Sequence, residues 1–362
     1  MWWSYEAHQF KKTSKQGAVV KALVLKEYLH LCYEDVPEPT IGPEDVLIRV
    51  QACGICGSDV HGMDGSTGRR RPPIIMGHEA AGVIQAVGSN AGAWKKGERV
   101  TFDSTVYCGT CWFCRRGEIN LCDRRRVLGV SCDEYRCHGA FAEYVAVPQH
   151  ILYRLPEAIV VEQAAMVEAL SIAFHAVHRT PIALNDTAVV VGTGMIGLLV
   201  VQSLRAAGCG TIIGVDPDQG KLALARKLGA DVVFSSDVSN VAEEIGKLTA
   251  GRGADLAFDV VGIGPSLRTA AASLRKGGCL TLVGNLSPEV PLPLQSVVTR
   301  QLTLLGSCAS CGEYAACLDM IARKNVNVDA LISAVAPLAD GAQWFERLYR
   351  KEPGLMKVIL KP

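Results

Sequence analysis

The chain has 362 residues, 49% of them hydrophobic, and 37 Lys and Arg against 36 Asp and Glu give a formal charge of +1. That length suits two domains with a large core, and the balanced charge argues against a nucleic-acid or anionic-membrane partner, either of which calls for a basic face. No apolar run is long enough to span a bilayer, and the 14 cysteines are too unevenly spread to read as a disulfide framework.

Residues 1–17 are polar and aromatic, with Trp2, Trp3, Tyr5, His8 and Phe10 ahead of Lys11 and Lys12. They have neither an apolar h-region nor a secretory cleavage pattern, so they read as an extension or leader outside the fold, and a cytoplasmic location follows. From Val19 to about Leu155 the chain carries short β-like runs at Lys21–Leu25, Asp45–Ala52, Ala80–Val87 and Phe141–Val147. Turn signals such as Ile41-Gly42-Pro43 and Gly97-Glu98 separate them, which predicts an irregular β-rich domain over residues 18–165.

Two clusters in this half carry metal chemistry. Gly54-Ile55-Cys56-Gly57-Ser58-Asp59-Val60-His61 is followed by Gly77-His78-Glu79, with His78 17 residues after His61. A Cys, a His and nearby carboxylates suit a zinc with fewer than four permanent protein ligands, and so an open position for chemistry. Cys108, Cys111, Cys114 and Cys122 then read C-x2-C-x2-C-x7-C. Four thiolates this close can enclose a zinc tetrahedrally and leave nothing open. Ligand type alone also admits an iron–sulfur cluster, but nothing else in the sequence points to electron transfer. The runs Arg69–Arg71 and Arg124–Arg126 read as solvated loop charge.

After Pro156 the pattern changes. Apolar positions at helical spacing predict a helix over Glu162–Arg179, with His175 and His178 as structural residues of a core helix. A strand–helix rhythm follows, with strands at Ala188–Val191, Thr211–Val215, Val232–Phe234, Leu256–Val260, Leu280–Val283 and Leu302–Gly306, and helices at Met195–Ala207 and Asp218–Leu228 between them. This alternation argues for a parallel sheet covered by helices on both faces, over residues 166–318. Residues 319–362 read as a return to the first domain.

Gly192-Thr193-Gly194-Met195-Ile196-Gly197 fits G-x-G-x-x-G. Alone it would be only a tight turn; following an apolar strand and opening a helix, it predicts a dinucleotide site. Gly192 makes the turn, Gly194 lets the backbone approach a pyrophosphate, and Gly197 lets helix and strand pack closely. The first helical N–H groups, at Met195 and Ile196, face the phosphates. Asp216 ends the next strand, 19 residues after Gly197. A carboxylate there accepts from ribose hydroxyls and repels a 2′-phosphate, which favours NAD over NADP, with Lys221 one helical turn on and within reach of the ribose.

These motifs, in this order and at this spacing, resemble the zinc-containing medium-chain dehydrogenase/reductase family, most of all its sorbitol (L-iditol) dehydrogenase branch, from Val19 to Pro362. The resemblance implies a Rossmann-type doubly wound α/β domain beside a β-rich GroES-like catalytic domain. It implies Cys56 and His78 as zinc ligands, Glu79 as a ligand or close carboxylate, and Asp59 as the group that orients His78. It also implies Ser58 and His61 as a proton relay, and Val261 and Val283 at strand ends beside the nicotinamide. Where alcohol dehydrogenases have a third cysteine ligand, the polyol branch has a glutamate; Glu168 occupies that place here, followed by Ala169 rather than proline. A cleft of this kind takes a small alcohol, polyol or diol as its partner molecule, and the family implies a homodimer or homotetramer with Leu302–Gly306 as an edge-to-edge seam.

Other features take plainer readings. Cys53 with Cys56, and Cys308 with Cys311, form C-x-x-C pairs read as incidental, and Cys132 and Cys137 have no clear partners. Phe102, Thr105, Val106 and Phe141 are candidates equally for a pocket lining or for the core, and Lys357 for a pyrophosphate contact. Two other functions compete. A protein that binds zinc and NAD without turnover conflicts with the intact set of Cys56, Ser58, His61, His78, Glu79 and Glu168; a zinc-free NADP-dependent reductase conflicts with Cys56, His78 and Asp216 together.

Overall fold

The computed structural model describes residues 18–132, 135–237 and 240–362, so the expected leader at 1–17 lies outside the described residues. In chain order the main elements are β1 (Val19–Glu27), β2 (His30–Pro37), β3 (Asp45–Gly54), α1 (Gly57–Gly62), β4 (Glu79–Val87), β5 (Arg99–Phe102), β6 (Tyr144–Pro148) and β7 (Leu152–Arg154). Then come α2 (Val167–Arg179), β8 (Thr187–Val191), α3 (Met195–Ala206), β9 (Thr211–Asp216), α4 (Gln219–Lys227), β10 (Val232–Ser235), α5 (Val241–Leu248) and β11 (Ala254–Asp259). The last are α6 (Gly264–Ser273), β12 (Leu274–Leu282), β13 (Thr303–Gly306), α7 (Tyr314–Ala322), β14 (Ile332–Pro337) and β15 (Lys357–Lys361).

The second group builds a six-stranded parallel sheet in the order β10-β9-β8-β11-β12-β13. The chain winds outward from β8 to β10, crosses back, and winds outward again from β11 to β13. Between β8 and β11 the direction reverses, and the crevice outside the carboxyl ends of the strands at such a point is where ligands bind. Successive residues point to opposite faces of the sheet. Ala188, Val190 and Ile212 therefore pack with α2, α3 and α7 in one core, while Val189, Val191, Ile213 and Val215 pack with α5 and α6 in another. Two apolar faces explain why these strands read as unbroken apolar runs.

The first group is a mixed sheet in the order β7-β5-β4-β3-β15-β14, with β6 also on β3. β15 pairs antiparallel with β3 at Ile359↔Gly54 and Leu360↔Cys53, so a strand from beyond the parallel sheet lies against the strand that leads into Cys56. This half has a core of its own, built around Leu23, Ile48, Phe102 and Phe141.

Three local readings change. The expected helix over Glu162–Arg179 is two pieces, Val161–Ala164 and α2. Met166 N–H bonds to Gln163 O, three residues back, so the turn tightens and the helix restarts. The strand expected at Phe141 begins at Tyr144, because Phe141 N–H bonds to Met76 O and Glu143 N–H to Lys21 O, outside any ladder with β3. The β2 strand went unread: it alternates exposed and half-buried residues with no apolar face of its own.

Candidate functional site

The chain leaves β3 at Gly54 and turns into α1, whose N-cap is Cys56. The Cys56 sulfur accepts from Ser58 N–H at 3.4 Å and from the Ser58 hydroxyl at 3.2 Å. Asp59, in the first turn and fully buried, places Oδ2 3.4 Å from His78 Nδ1. That leaves Nε2 as the ring atom free to meet a metal. Asp59 Oδ1 accepts from Arg70 Nε at 3.1 Å and Nη2 at 2.8 Å. Burial by itself raises the Asp59 carboxyl, but the adjacent His78 and Arg70 charges more than reverse that and hold it at about 2. Burial lowers His78, and Asp59 and Cys56 overcome it and raise it well above the ordinary value. The anions around the imidazole therefore favour a cation at this spot.

Glu79 opens β4 opposite Gly54. One of its oxygens, Oε2, pairs with the ammonium of Lys357, which also donates to Ile55 O at 3.0 Å. The other, Oε1, is buried without a hydrogen-bond partner. Ligand atoms of Cys56, His78 and Glu79 lie within 4.8 Å of one another. A thiolate, an imidazole and an orphaned carboxylate oxygen fit zinc as a donor set with room for a further ligand. Glu168 stands in the first turn of α2, half-buried and outside that group of three, yet close enough to feel His78, Glu79 and Lys357. A carboxylate at a helix N-terminus is normally favoured by the dipole; here burial wins and pushes Glu168 up to about 7. His61 is exposed at the end of α1.

Two residues that sequence reasoning misplaced sit in this site. Arg70, read as solvated loop charge, is only 3% exposed. Lys357, read as a pyrophosphate contact, is wholly buried against Glu79 and Ile55. A signal existed for Lys357, a lone cation heading the apolar run Val358-Ile359-Leu360; for Arg70, flanked by Arg69 and Arg71, there was none. Of the two readings open for Phe102, Thr105, Val106 and Phe141, burial favours the core, since all are at most 3% exposed. His175 is buried, its Nδ1 2.6 Å from Glu313 Oε1, whereas His178 on the same helix is exposed.

The four-cysteine segment is held differently. Cys108 and Cys114 sulfurs are 4.0 Å apart. Backbone N–H groups point at sulfur throughout: Cys111 at Cys108 (3.4 Å), Cys114 at Cys111 (3.5 Å), Cys108 at Cys122 (3.3 Å) and Arg124 at Cys122 (3.4 Å). Burial by itself raises the Cys108 thiol, but hydrogen bonds from the Thr110 and Cys111 amides and from the Thr110 and Cys122 side chains together bring it down to about 5. All four ligand atoms lie within 4.8 Å of one another, a donor set that fits one fully enclosed zinc. The cysteines described as free include every member of this set.

At the switch point of the parallel sheet, Gly192 has φ of +93°, a left-handed conformation that favours glycine. A Cβ on Gly197 would sit 1.8 Å from Gly192 O, so helix and strand meet here only through a glycine. At Gly194, the N-cap of α3, a Cβ would meet nothing within 4 Å, and the N–H groups of Met195 and Ile196 face that open side without intrahelical partners. Asp216 is fixed at the rim, accepting from Thr193 N–H at 2.8 Å and Asp218 N–H at 3.0 Å. Its oxygens keep lone pairs for further donors. Val261 and Val283 follow β11 and β12 on the same edge, and Lys221 lies in the first turn of α4.

The alcohol dehydrogenase GroES-like domain family matches residues 42–157, and the zinc-binding dehydrogenase domain family matches residues 196–323. Sorbitol dehydrogenase of Bacillus subtilis (strain 168) is 33% identical over 347 residues, covering 95% of this chain and 97% of its own length. The structure of 2R,3R-butanediol dehydrogenase from Bacillus subtilis superimposes with a TM-score of 0.86 at 30% identity, over 95% of this chain and 99% of that one. The alcohol dehydrogenase TADH from Thermus sp. ATN1 superimposes with a TM-score of 0.88 at 30% identity, over 94% and 99%. Relatives of three substrate types thus lie at nearly the same distance, so overall identity does not choose among them.

Proposed function

The chain belongs to the zinc-containing medium-chain alcohol dehydrogenase family, in its polyol branch, and on that premise we propose that it oxidises a secondary alcohol of a polyol, sugar alcohol or small diol to a ketone with NAD⁺. The observation that carries this reading is the group of Cys56, His78 and Glu79, whose donors lie within 4.8 Å, with the extra carboxylate of Glu168 nearby. One thiolate with carboxylates makes an oxygen-rich site, better suited to a chelating diol than two thiolates.

In this reading Cys56, His78 and Glu79 hold the catalytic zinc, with Glu168 as a further carboxylate acting directly or through water. Zinc bound there lowers the pKa of the alcohol and polarises its oxygen. Ser58 is placed to take the hydroxyl proton and His61, exposed at the end of α1, to release it to solvent; NAD⁺ held in the dinucleotide site would accept the carbon-bound hydrogen as hydride. Gly192, Gly194, Met195, Ile196 and Gly197 cradle the pyrophosphate, Asp216 and Lys221 the ribose, and Val261 and Val283 the nicotinamide side. Cys108, Cys111, Cys114 and Cys122 hold the structural zinc. We assign residues 18–165 and 319–362 to the catalytic domain and 166–318 to the nucleotide domain.

The polyol preference is supported by Glu168 at the place of a cysteine ligand. A homodimer or homotetramer joined along β13 is supported by that strand's place at the sheet edge and by exposed Leu292, Leu294 and Val298 just before it. Among the described residues no helix is long and apolar enough to cross a membrane, and we place the protein in the cytoplasm.

The test is zinc content per chain together with turnover of sorbitol, xylitol, galactitol, 2,3-butanediol, threonine and ethanol. Two zincs and NAD⁺-dependent oxidation of polyols or diols are expected. A single zinc that is lost on Cys108→Ser and kept on Cys56→Ser, with no turnover of any alcohol, would overturn the reading. For the coenzyme, Asp216→Ala is expected to lower kcat/KM for NAD⁺ about 10- to 100-fold, the worth of hydrogen bonds to one carboxylate, and to lower it less for NADP⁺. Equal losses with both would remove Asp216 from coenzyme choice.

A further inference from the structure

Arg70 does not touch any of the three grouped donors, yet it connects to two of them. Its Nε and Nη2 grip Asp59 Oδ1, and the other oxygen of that carboxylate faces His78 Nδ1 at 3.4 Å. Its Nη2 also donates to Ser58 Oγ at 3.1 Å, and the Ser58 hydroxyl donates onward to Cys56 Sγ at 3.2 Å. A planar guanidinium can serve two acceptors at once at fixed geometry, which an ammonium cannot.

The protein also makes room for this side chain. Gly62 ends α1, and a Cβ there would lie 2.4 Å from Arg70 Cγ and 3.3 Å from Arg70 Cβ. The clash falls on the base of the arginine stem, not on its mobile tip. Arg70 is 3% exposed and Asp59 fully buried, so the pair is neither screened by solvent nor free to exchange partners with it. An exposed loop arginine needs no such slot.

We propose that Arg70 is a positioning residue of the metal centre, which through Asp59 sets the ring of His78 and through Ser58 sets the sulfur of Cys56 for a divalent cation. The proposal rests on the assignment of Cys56 and His78 as metal ligands. Arg70 thereby ties together the supporting groups of two donors, one at the N-cap of α1 and one ahead of β4. It also ties up the Ser58 oxygen, so the hydroxyl keeps a fixed orientation in the resting site.

The experiment uses the full chain loaded with Co²⁺, whose thiolate charge-transfer and ligand-field bands report donor geometry, and follows release of the metal to a chelator. Arg70→Met is expected to shift the bands of the Cys56 centre and to speed release from it roughly 10- to 100-fold, as loss of a ligand-orienting partner does. The metal of the four-cysteine segment should stay. Gly62→Ala is expected to act in the same direction without any change of charge, and Arg70→Lys to recover only part of the slow release. Arg70→Met added to Asp59→Asn and Ser58→Ala together should change nothing further, because both routes are already cut. Parent-like bands and release in Gly62→Ala and in any Arg70→Met that folds would overturn the proposal. Uptake of only one Co²⁺ by the parent, at the four cysteines, would overturn the underlying site assignment as well.

Discussion

The four cysteines of the proposed structural centre come from one stretch, 108–122, and their sulfurs are met mostly by backbone amides of residues 108–124, with the Thr110 hydroxyl and the Arg124 guanidinium also on Cys108. Cys56, His78 and Glu79 come from separate elements, and apart from the Ser58 N–H on Cys56 what meets them is side chains: Ser58, Asp59 and Lys357. The first centre is half-exposed and local, and its geometry follows from backbone turns. The second is non-local, half-buried at Cys56 and buried at His78 and Glu79, and its geometry depends in part on charged partners, Asp59 and Lys357, that must be paired. A local, backbone-lined site closes on its metal and supports a fold; one lined by long-range side chains can leave a coordination position open and tune it.

The sharpest test of this contrast is to remove one donor from each. Cys56→Ser is expected to reduce turnover to background and remove one zinc while leaving Tm within a few degrees of the parent, since the fold there is held by β3, β4 and β15. Cys108→Ser should instead remove the other zinc and lower Tm by roughly 5–10 °C, from a loss of about 4–8 kcal/mol in a chain of this size. Metal analysis and calorimetry on the two variants check this, and equal Tm losses would break the contrast.

Next in size is Lys357→Met. It leaves the Glu79 carboxylate buried without its cation, which costs about 3–5 kcal/mol. Urea unfolding should show that loss, and the double variant Lys357→Met/Glu79→Gln should regain most of it. A single variant as stable as the parent would mean that the pair contributes nothing.

The smallest expected effect concerns Asp103, whose charge reaches both Glu168 on the catalytic side and Tyr107, the residue before Cys108. Burial raises Asp103 to about 6. Between its ordinary value of 3.8 and about 6, the folded state keeps a proton that the unfolded state releases, so stability falls as pH rises through that window. Asp103→Asn, which keeps an oxygen for Thr105 N–H, should therefore raise Tm at pH 8 and leave it nearly unchanged at pH 4. A gain of equal size at both values would refute the assignment.

What could be read from the sequence followed the same divide. The parallel sheet was legible because its central strands are apolar on both faces, and the dinucleotide turn because its glycines, strand and helix are contiguous. The spacing of Cys108 to Cys122 was legible for the same reason. Cys56 with His78 and Glu79 was legible only as a pattern of residue types and through family likeness. Arg70 and Lys357 were misread, since nothing within a few residues of either says which distant carboxylate it meets. Phe102 and Phe141 could be read equally as pocket lining or as core, because an apolar residue near a site looks the same whether it faces a ligand or the core.

Lys357 follows Glu79 by 278 residues. On the ribosome, the Cys56–His78 segment emerges early, and the four cysteines can collect their metal as soon as residue 122 is out. The Glu79 carboxylate must wait until the whole parallel-sheet domain has been translated before its counter-cation exists. Nascent chains of this protein therefore pass through a long interval in which the Glu79 carboxylate has not yet met the lysine that pairs with it in the finished fold.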